Sequence, residues 1–441
     1  MRIKKSGLAF LLSVSMLFCN GGIVYAQTND ETKLNLKNNI TPIYNIKAEN
    51  GFEDLIKWKP ILKDKKIIAV GEATHGTKEF SQIKHRMFEF LVEKMGYRLF
   101  AIEADTALME EVNDYVLYNK GEPNEILKKF SWMLNTQEML DMIKWMRNYN
   151  DNPIHKQKVK FYGMDMQSGP TAIPRVIEYI KNVDNENLEN FERILNNVSG
   201  KILYTCDEST FENIKNQSID LESKMEKNKD NYVKVSSLSE YELVKHHLSV
   251  LNQYIDITKI ARKSISMEYL SKRDYYMAQN VKWILDHENE YGNDKIMLWA
   301  QNGHVSKKES NFIPMGENLK NIYGDKFYSI GLDFYEGTFK AQDCNNADMP
   351  LVDFKFDNSP EGTLVYEFAK TDLDAAFMDF KTASKNKDIK EWLSKSKLVH
   401  NVGWGFGEDW SYMYPEDVTG NYDGFIFFKK TSPVTVLSKT S

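Results

Sequence analysis

Cysteine is scarce in this chain: three in 441 residues, at Cys19, Cys206 and Cys344. None belongs to a Cys-x-x-Cys pair, which excludes a cysteine-built zinc site. Basic charge is not in excess either. Lysine and arginine number 57 against 63 acidic residues, a net charge of −6, whereas nucleic-acid phosphates call for the opposite balance. There is no G-x-S-x-G elbow, which disfavours a serine nucleophile of the α/β-hydrolase type. Glycine-rich loops for a phosphate or dinucleotide and an H-E-x-x-H metal motif are also missing. Beyond the first 26 residues, no apolar run approaches the ~20 residues of a membrane-spanning helix. What is present, 42% hydrophobic with 12% aromatic residues, is the composition of a folded globular protein.

The N-terminus has the three parts of an export signal. Arg2, Lys4 and Lys5 form a basic region, Leu8 to Phe18 an apolar one, and Val24-Tyr25-Ala26 a small-x-small cleavage site. Residues 1–26 are therefore expected to be removed and the protein to be secreted. Bulky Phe18 argues against a lipid anchor on Cys19. Losing three basic groups leaves 54 of the 57 against 63 acidic ones, a net −9. Cys206 and Cys344 would then be the remaining cysteines, and sequence leaves their pairing open. Residues 27–40 are polar and expected to be a flexible lead-in.

From there, short apolar runs alternate with helical patterns. Strands are expected at Lys66–Val70, Arg98–Ile102, Lys158–Tyr162, Ile296–Ala300 and Phe425–Phe428. A strand pair is expected at Phe327–Leu332 and Thr338-Phe339, turning at Glu336-Gly337, and Thr363–Phe368 could complete the sheet. Phe80, Ile83, Met87 and Leu91 lie at helical spacing, with Gly96 as the stop. Asp105-Thr106 opens a further helix. The pattern reads as an α/β fold with a largely parallel central sheet flanked by helices. Residues 41–183 and 271–432 form its core. Residues 184–270, with the stripe Val244, Leu248, Leu251 and Ile255, read as a helical insertion capping the carboxyl ends of the strands.

Polar residues gather where strands end: Glu72 and His75 after the first, Glu103 after the second, Asp165 after the third, His304 after the fourth. In open α/β sheets ligands bind at those ends, so these side chains are expected to converge. Gly71 and Gly76 bracket Glu72-Ala73-Thr74-His75. A histidine there can take a proton from water, with a glutamate three residues away to orient it. His304 is a candidate to donate a proton to a leaving alcohol or to hold a carbonyl. Glu72, His75, Glu103 and His304 are chemically able to bind zinc or iron, but the reading adopted has neither metal nor cofactor. His85, His155, His246, His247, His287 and His400 are read as solvated surface residues.

The segments GEATHGTKEF, YRLFAIEAD, SWMLNTQEMLDMIKWMRNYN, VKFYGMDMQ, RDYYMAQNVKWIL, IMLWAQNGHV and YDGFIFF, in that order, resemble the erythromycin esterase family from about Ile67 to Phe428. The resemblance implies a hydrolase that opens a macrolide lactone or a related ester without metal, using a histidine base to activate water. It gives that role to His75, supported by Glu72 and Glu103. Lys84 stands where the family commonly has arginine, which keeps the charge but loses the bidentate fork. The family's AHN-x-HV reads Ala300-Gln301-Asn302-Gly303-His304-Val305 here, so Gln301 replaces one histidine. Gln301 can hydrogen-bond but cannot shuttle a proton. Arg273 is either a pocket contact or the partner of Asp274 or another neighbour. The expected partner is a small ester or lactone. Another extracellular ester, a saccharide substituent, or binding without turnover are the alternatives, and the oligomeric state is left open.

Overall fold

The computed structural model describes residues 36–407 and 412–438. The segment expected to be an export signal, and most of the expected lead-in, lie outside them. Of the lead-in, Leu36 and Ile40 are buried against the sheet rather than loose.

The strands are β1 (Thr41–Pro42), β2 (Ile67–Val70), β3 (Leu99–Asp105), β4 (Lys160–Asp165), β5 (Ile296–Trp299), β6 (Phe327–Asp343), β7 (Leu351–Phe356), β8 (Ala375–Asp379), β9 (Lys397–His400), β10 (Gly405–Phe406), β11 (Met413–Glu416) and β12 (Gly424–Thr431). The main sheet runs β1-β8-β12-β6-β2-β5-β3-β4, and its six strands from β12 to β4 are mutually parallel. β1 and β8 add an antiparallel edge.

The central strands β2 and β5 are apolar at every position because both faces are covered. Ile68, Val70, Phe100, Ile102, Met297 and Trp299 face α1 (Lys78–Met95), α2 (Thr106–Tyr118) and α3 (Gln137–Asp151). Their alternates Ile67, Ala69, Leu99, Ala101, Ile296 and Leu298 face the other way. There they meet Met277, Ala278, Val281 and Ile284, from a helix whose range is Met267–Asn289. The expected terminators hold. Gly96, at φ +77°, ends α1 and donates its N–H to Leu91 O. Asp105 caps α2 by accepting from the Ala107 and Leu108 amides.

Two local expectations fail for identifiable reasons. Glu336-Gly337 is not a turn: β6 runs unbroken for 17 residues. Gly337 (φ +140°) is where β6 exchanges parallel pairing with Thr431 for antiparallel pairing with β7, and a Cβ there would lie 2.4 Å from Thr431 Oγ1. Thr363–Phe368 is not a strand. Thr363 Oγ1 accepts from the Tyr366 amide and caps a helix at Leu364–Ala369. The β-branched residue was a cap.

The helices after β4 build a core of their own. α4 (Ile173–Val183), α5 (Glu208–Lys227) and α6 (Leu238–Ala261) bury Tyr179, Ile180, Phe211, Ile214, Leu221, Val244, Leu248, Leu251 and Ile255 together. This core starts upstream of residue 184, taking in Ala172 and Val176, and meets the sheet through Ala107 at the carboxyl end of β3. α7 (Met267–Asn289) then returns to the sheet. Cys206 and Cys344 are both free thiols. No helix among the described residues is long and apolar enough to cross a membrane.

The C-terminal segment closes over the start of α1. Val434 donates its amide to Gly76 O (3.0 Å), Lys78 donates to Ser432 O (2.9 Å), and Gln137 donates to Thr435 O (2.8 Å). Ser432 also donates to Glu79, a contact between residues 353 positions apart.

Candidate active site

Neighbouring strands β2, β5, β3 and β4 end side by side, delivering Glu72, Gln301, Glu103 and Asp165 to one edge of the sheet. The loop after β2 is tight. A Cβ on Gly71 would sit 2.2 Å from Asn302 Oδ1, and one on Gly76 only 1.8 Å from Lys340 O. Any side chain at either position would push the loop away from its support.

Glu72 is buried and fully engaged. Its Oε1 accepts from His75 Nδ1 (2.6 Å), and its Oε2 from Lys84 Nζ (2.5 Å) and Trp299 Nε1 (2.8 Å). Burial alone would raise the carboxyl's pKa, but Lys84 and His75 outweigh it and hold Glu72 ionised. Burial pushes the Lys84 ammonium down to about 8 despite Glu72. The same ammonium sits 4.2 Å from the Trp299 ring centroid. With Nδ1–H committed to Glu72, the neutral His75 ring keeps its lone pair on Nε2, which is shielded from solvent and makes no hydrogen bond.

The second cluster is held by α7 and the short helix α8 (Asn302–Val305). Arg273 donates from Nη2 to Asp165 Oδ2 (2.6 Å) and Glu103 Oε1 (2.8 Å), and from Nε to Asp165 (3.2 and 3.3 Å). His304 Nδ1 meets Asp274 Oδ1 at 2.8 Å, and its Nε2 lies 3.1 Å from Glu103 Oε1 and 3.1 Å from Arg273 Nη1. A neutral ring would accept from Arg273, whereas a charged ring donates to both carboxylates. Charge balance decides for the second. Asp165, Asp274 and Glu103 face a single guanidinium, and a proton on His304 supplies a second positive charge against the three negative ones. Burial opposes that proton, but Asp274 and Glu103 prevail and raise His304 to about 10. Burial likewise works to raise Glu103, which His304 and Arg273 hold well below the usual carboxylate range.

The two clusters adjoin: Glu103 responds to the charge of His75, and Lys84 to that of Glu103. Gln301 joins the second cluster, donating its backbone N–H to Glu103 Oε2 (3.0 Å), and its amide donates to Asn401 Oδ1 (2.5 Å). The structure thus gathers Glu72, His75, Lys84, Glu103, Asp165, Arg273, Gln301 and His304 at one sheet edge. Arg273 pairs with Asp165 and Glu103, not Asp274. The described residues contain no group of three or more His, Cys, Asp and Glu arranged to hold a metal ion.

Sequence reasoning passed over Asp274 as a partner of His304, and Trp299 as more than a core residue. The first stands beside Arg273 in RDYY, so its charge was visible but not its direction. Four histidines read as solvated are buried: His85, His246, His247 and His400. Burial moves His85 down to about 4 and lowers His246 well below the ordinary range. The helices of His85, His246 and His247 face neighbouring layers on more than one side, and His400 ends strand β9, so the polar surroundings assumed for them do not exist.

A histidine–glutamate pair thus adjoins a buried network of three carboxylates, an arginine and a histidine at the carboxyl ends of a parallel sheet. Residues 92–431 match the erythromycin esterase family profile, more than half of the chain. The matched segment includes Glu103, Asp165, Arg273, Gln301 and His304, and Glu72, His75 and Lys84 lie just upstream of it. Erythromycin esterase type II of Escherichia coli is 24% identical over 334 residues, covering 70% of this chain and 77% of that protein. A Bacillus cereus protein of known structure superposes with a TM-score of 0.82 at 26% identity, covering 91% of this chain and 98% of that one. A mutant of the erythromycin esterase EreC in its open conformation shares the fold, with a TM-score of 0.67 at 15% identity over 88% of this chain and 96% of that one. The chain belongs to the erythromycin esterase family and is accordingly a hydrolase of that family.

Proposed function

We propose that the protein is exported and cleaves a macrolide lactone, or a related ester, by a metal-independent mechanism in which His75 activates water. The observation that carries this reading is the buried, unpartnered Nε2 of His75, whose opposite nitrogen is tied to an ionised glutamate. Nε2 takes a proton from water, and the hydroxide adds to the ester carbonyl. As the tetrahedral intermediate collapses, the acyl C–O bond breaks and Nε2–H returns the proton to the leaving alkoxide, giving acid and alcohol. Glu72 stabilises the intervening imidazolium, as a carboxylate does for the base of a catalytic triad. Arg273 or protonated His304 stabilises the oxyanion by turning a donor toward it from its present carboxylate partner, an effect of about 3 kcal/mol for a well-placed donor. His304 suits this better than proton exchange, because a group raised to about 10 stays charged throughout the neutral range.

Assaying the purified protein against erythromycin and a series of 4-nitrophenyl esters tests the substrate. Turnover of simple esters alone would move the substrate class away from macrolides. Binding without turnover would favour a binding protein, a reading motivated by Gln301, whose amide is tied to Asn401 and carries no exchangeable acid. Activity should survive a chelator, and its loss would overturn the metal-free mechanism.

A further inference from the structure

Away from the two clusters lies a third histidine–carboxylate pair. His400 and Asp333 are 1% and 0% exposed. His400 gives Asp333 two N–H donors, its backbone amide to Oδ2 (3.1 Å) and its ring Nδ1 to Oδ1 (2.7 Å). The Phe334 amide adds a third at 2.7 Å. The imidazole is stacked on Phe334 and Phe356, with ring centroids 5.0 and 5.2 Å away. Its Nε2 is shielded and makes no hydrogen bond.

A buried carboxylate is costly unless every lone pair is satisfied, and an apolar pair would fill this aromatic setting without that cost. What the polar pair adds is direction. It fixes the last residue of β9, and the next three residues run straight along the catalytic loop. Asn401 accepts from Gln301. Val402 and Gly403 donate to Ala73 O (2.8 and 3.1 Å), and Gly403 O accepts the His75 amide (3.0 Å).

We infer that His400 and Asp333 are positioning residues. Their two-point clamp sets the 401–403 segment against the catalytic loop and so holds His75 and Gln301 in register. On this account Nδ1–H is the working atom of His400, and Nε2 is idle. The inference rests on His75 being the base, so its test includes a measurement that needs no substrate.

Asparagine at 400 places a side-chain N–H where Nδ1–H now lies, whereas alanine places none. His400→Ala should lower kcat for the best ester of the series by about 10²-fold, the effect of a small misplacement of a reacting group, with KM little changed. His400→Asn should stay within about fivefold of the parent kcat, the scale of one altered hydrogen bond. In parallel, the low-field proton resonance of His75 Nδ1–H, assigned by its disappearance in His75→Ala, should broaden or shift in His400→Ala and remain in His400→Asn. Full kcat in His400→Ala, or an equal loss in both variants while folded, would overturn the clamp. Failure of both variants to fold would also overturn it, by making the pair a general requirement of the core. If the parent turns over no ester, the functional reading fails, and the resonance still decides on the clamp.

Discussion

His75 and His304 lie in adjoining clusters and each contacts a buried carboxylate, yet their surroundings differ. His75 meets one carboxylate, itself shared with Lys84 and Trp299, and keeps a nitrogen free. His304 meets two, has no nitrogen free and holds its proton to about 10. The number and prior commitments of the surrounding carboxylates make the difference, and under the proposed mechanism one ring receives a proton while the other remains a fixed positive charge. Sequence offers the same side chain twice; the neighbours make the distinction.

The largest test of this contrast is His75→Ala, which should lower ester turnover by ~10³-fold or more with an unchanged circular dichroism spectrum. Residual turnover near the parent level would break the comparison. Next in size, Lys84→Met strips Glu72 of its buried counter-charge and should cost about 3 kcal/mol in urea unfolding. A loss below about 1 kcal/mol would mean that Trp299 and His75 suffice to hold Glu72.

A pH series sharpens the contrast further. His304 binds its proton more tightly folded than unfolded. Its contribution to stability is therefore complete below about pH 6.5 and is lost as pH rises toward about 10. Lys84, lowered to about 8 from 10.5, acts in the opposite sense, and its burden on the fold eases as pH rises between those values. His304→Gln should flatten the decline of unfolding free energy between about pH 7 and pH 10, and Lys84→Met should steepen it above about pH 8. The same sign of change in both would refute the assignment. Smallest of all, Gln301→Ala removes one hydrogen bond to Asn401 and should reduce kcat about fivefold, with no displacement of the pH profile.

Much of this was legible in the sequence where local pattern and tertiary role coincide. Ile67–Val70 and Ile296–Trp299 are apolar at every position because the parallel sheet is covered twice, so they announce both strand and burial. Glu72 and His75, three residues apart on one loop, can be paired by eye. Pairings between distant segments cannot. His304 finds Asp274 thirty positions away and His400 finds Asp333 at 67, and nothing in either local stretch marks the partner. Gly337 was misread because glycine in an apolar run suggests a turn, when the requirement here was room between two strands. Thr363 was misread because its hydroxyl, not its branching, decided the local structure.

The strap that ties Gly76 and Lys78 to Ser432 and Val434 has a consequence in time. The segment that fastens the His75 loop is made long after it, with 353 positions between Glu79 and Ser432. At ~5–20 residues per second, that interval is on the order of tens of seconds. Throughout it the loop has its sequence but not its anchorage.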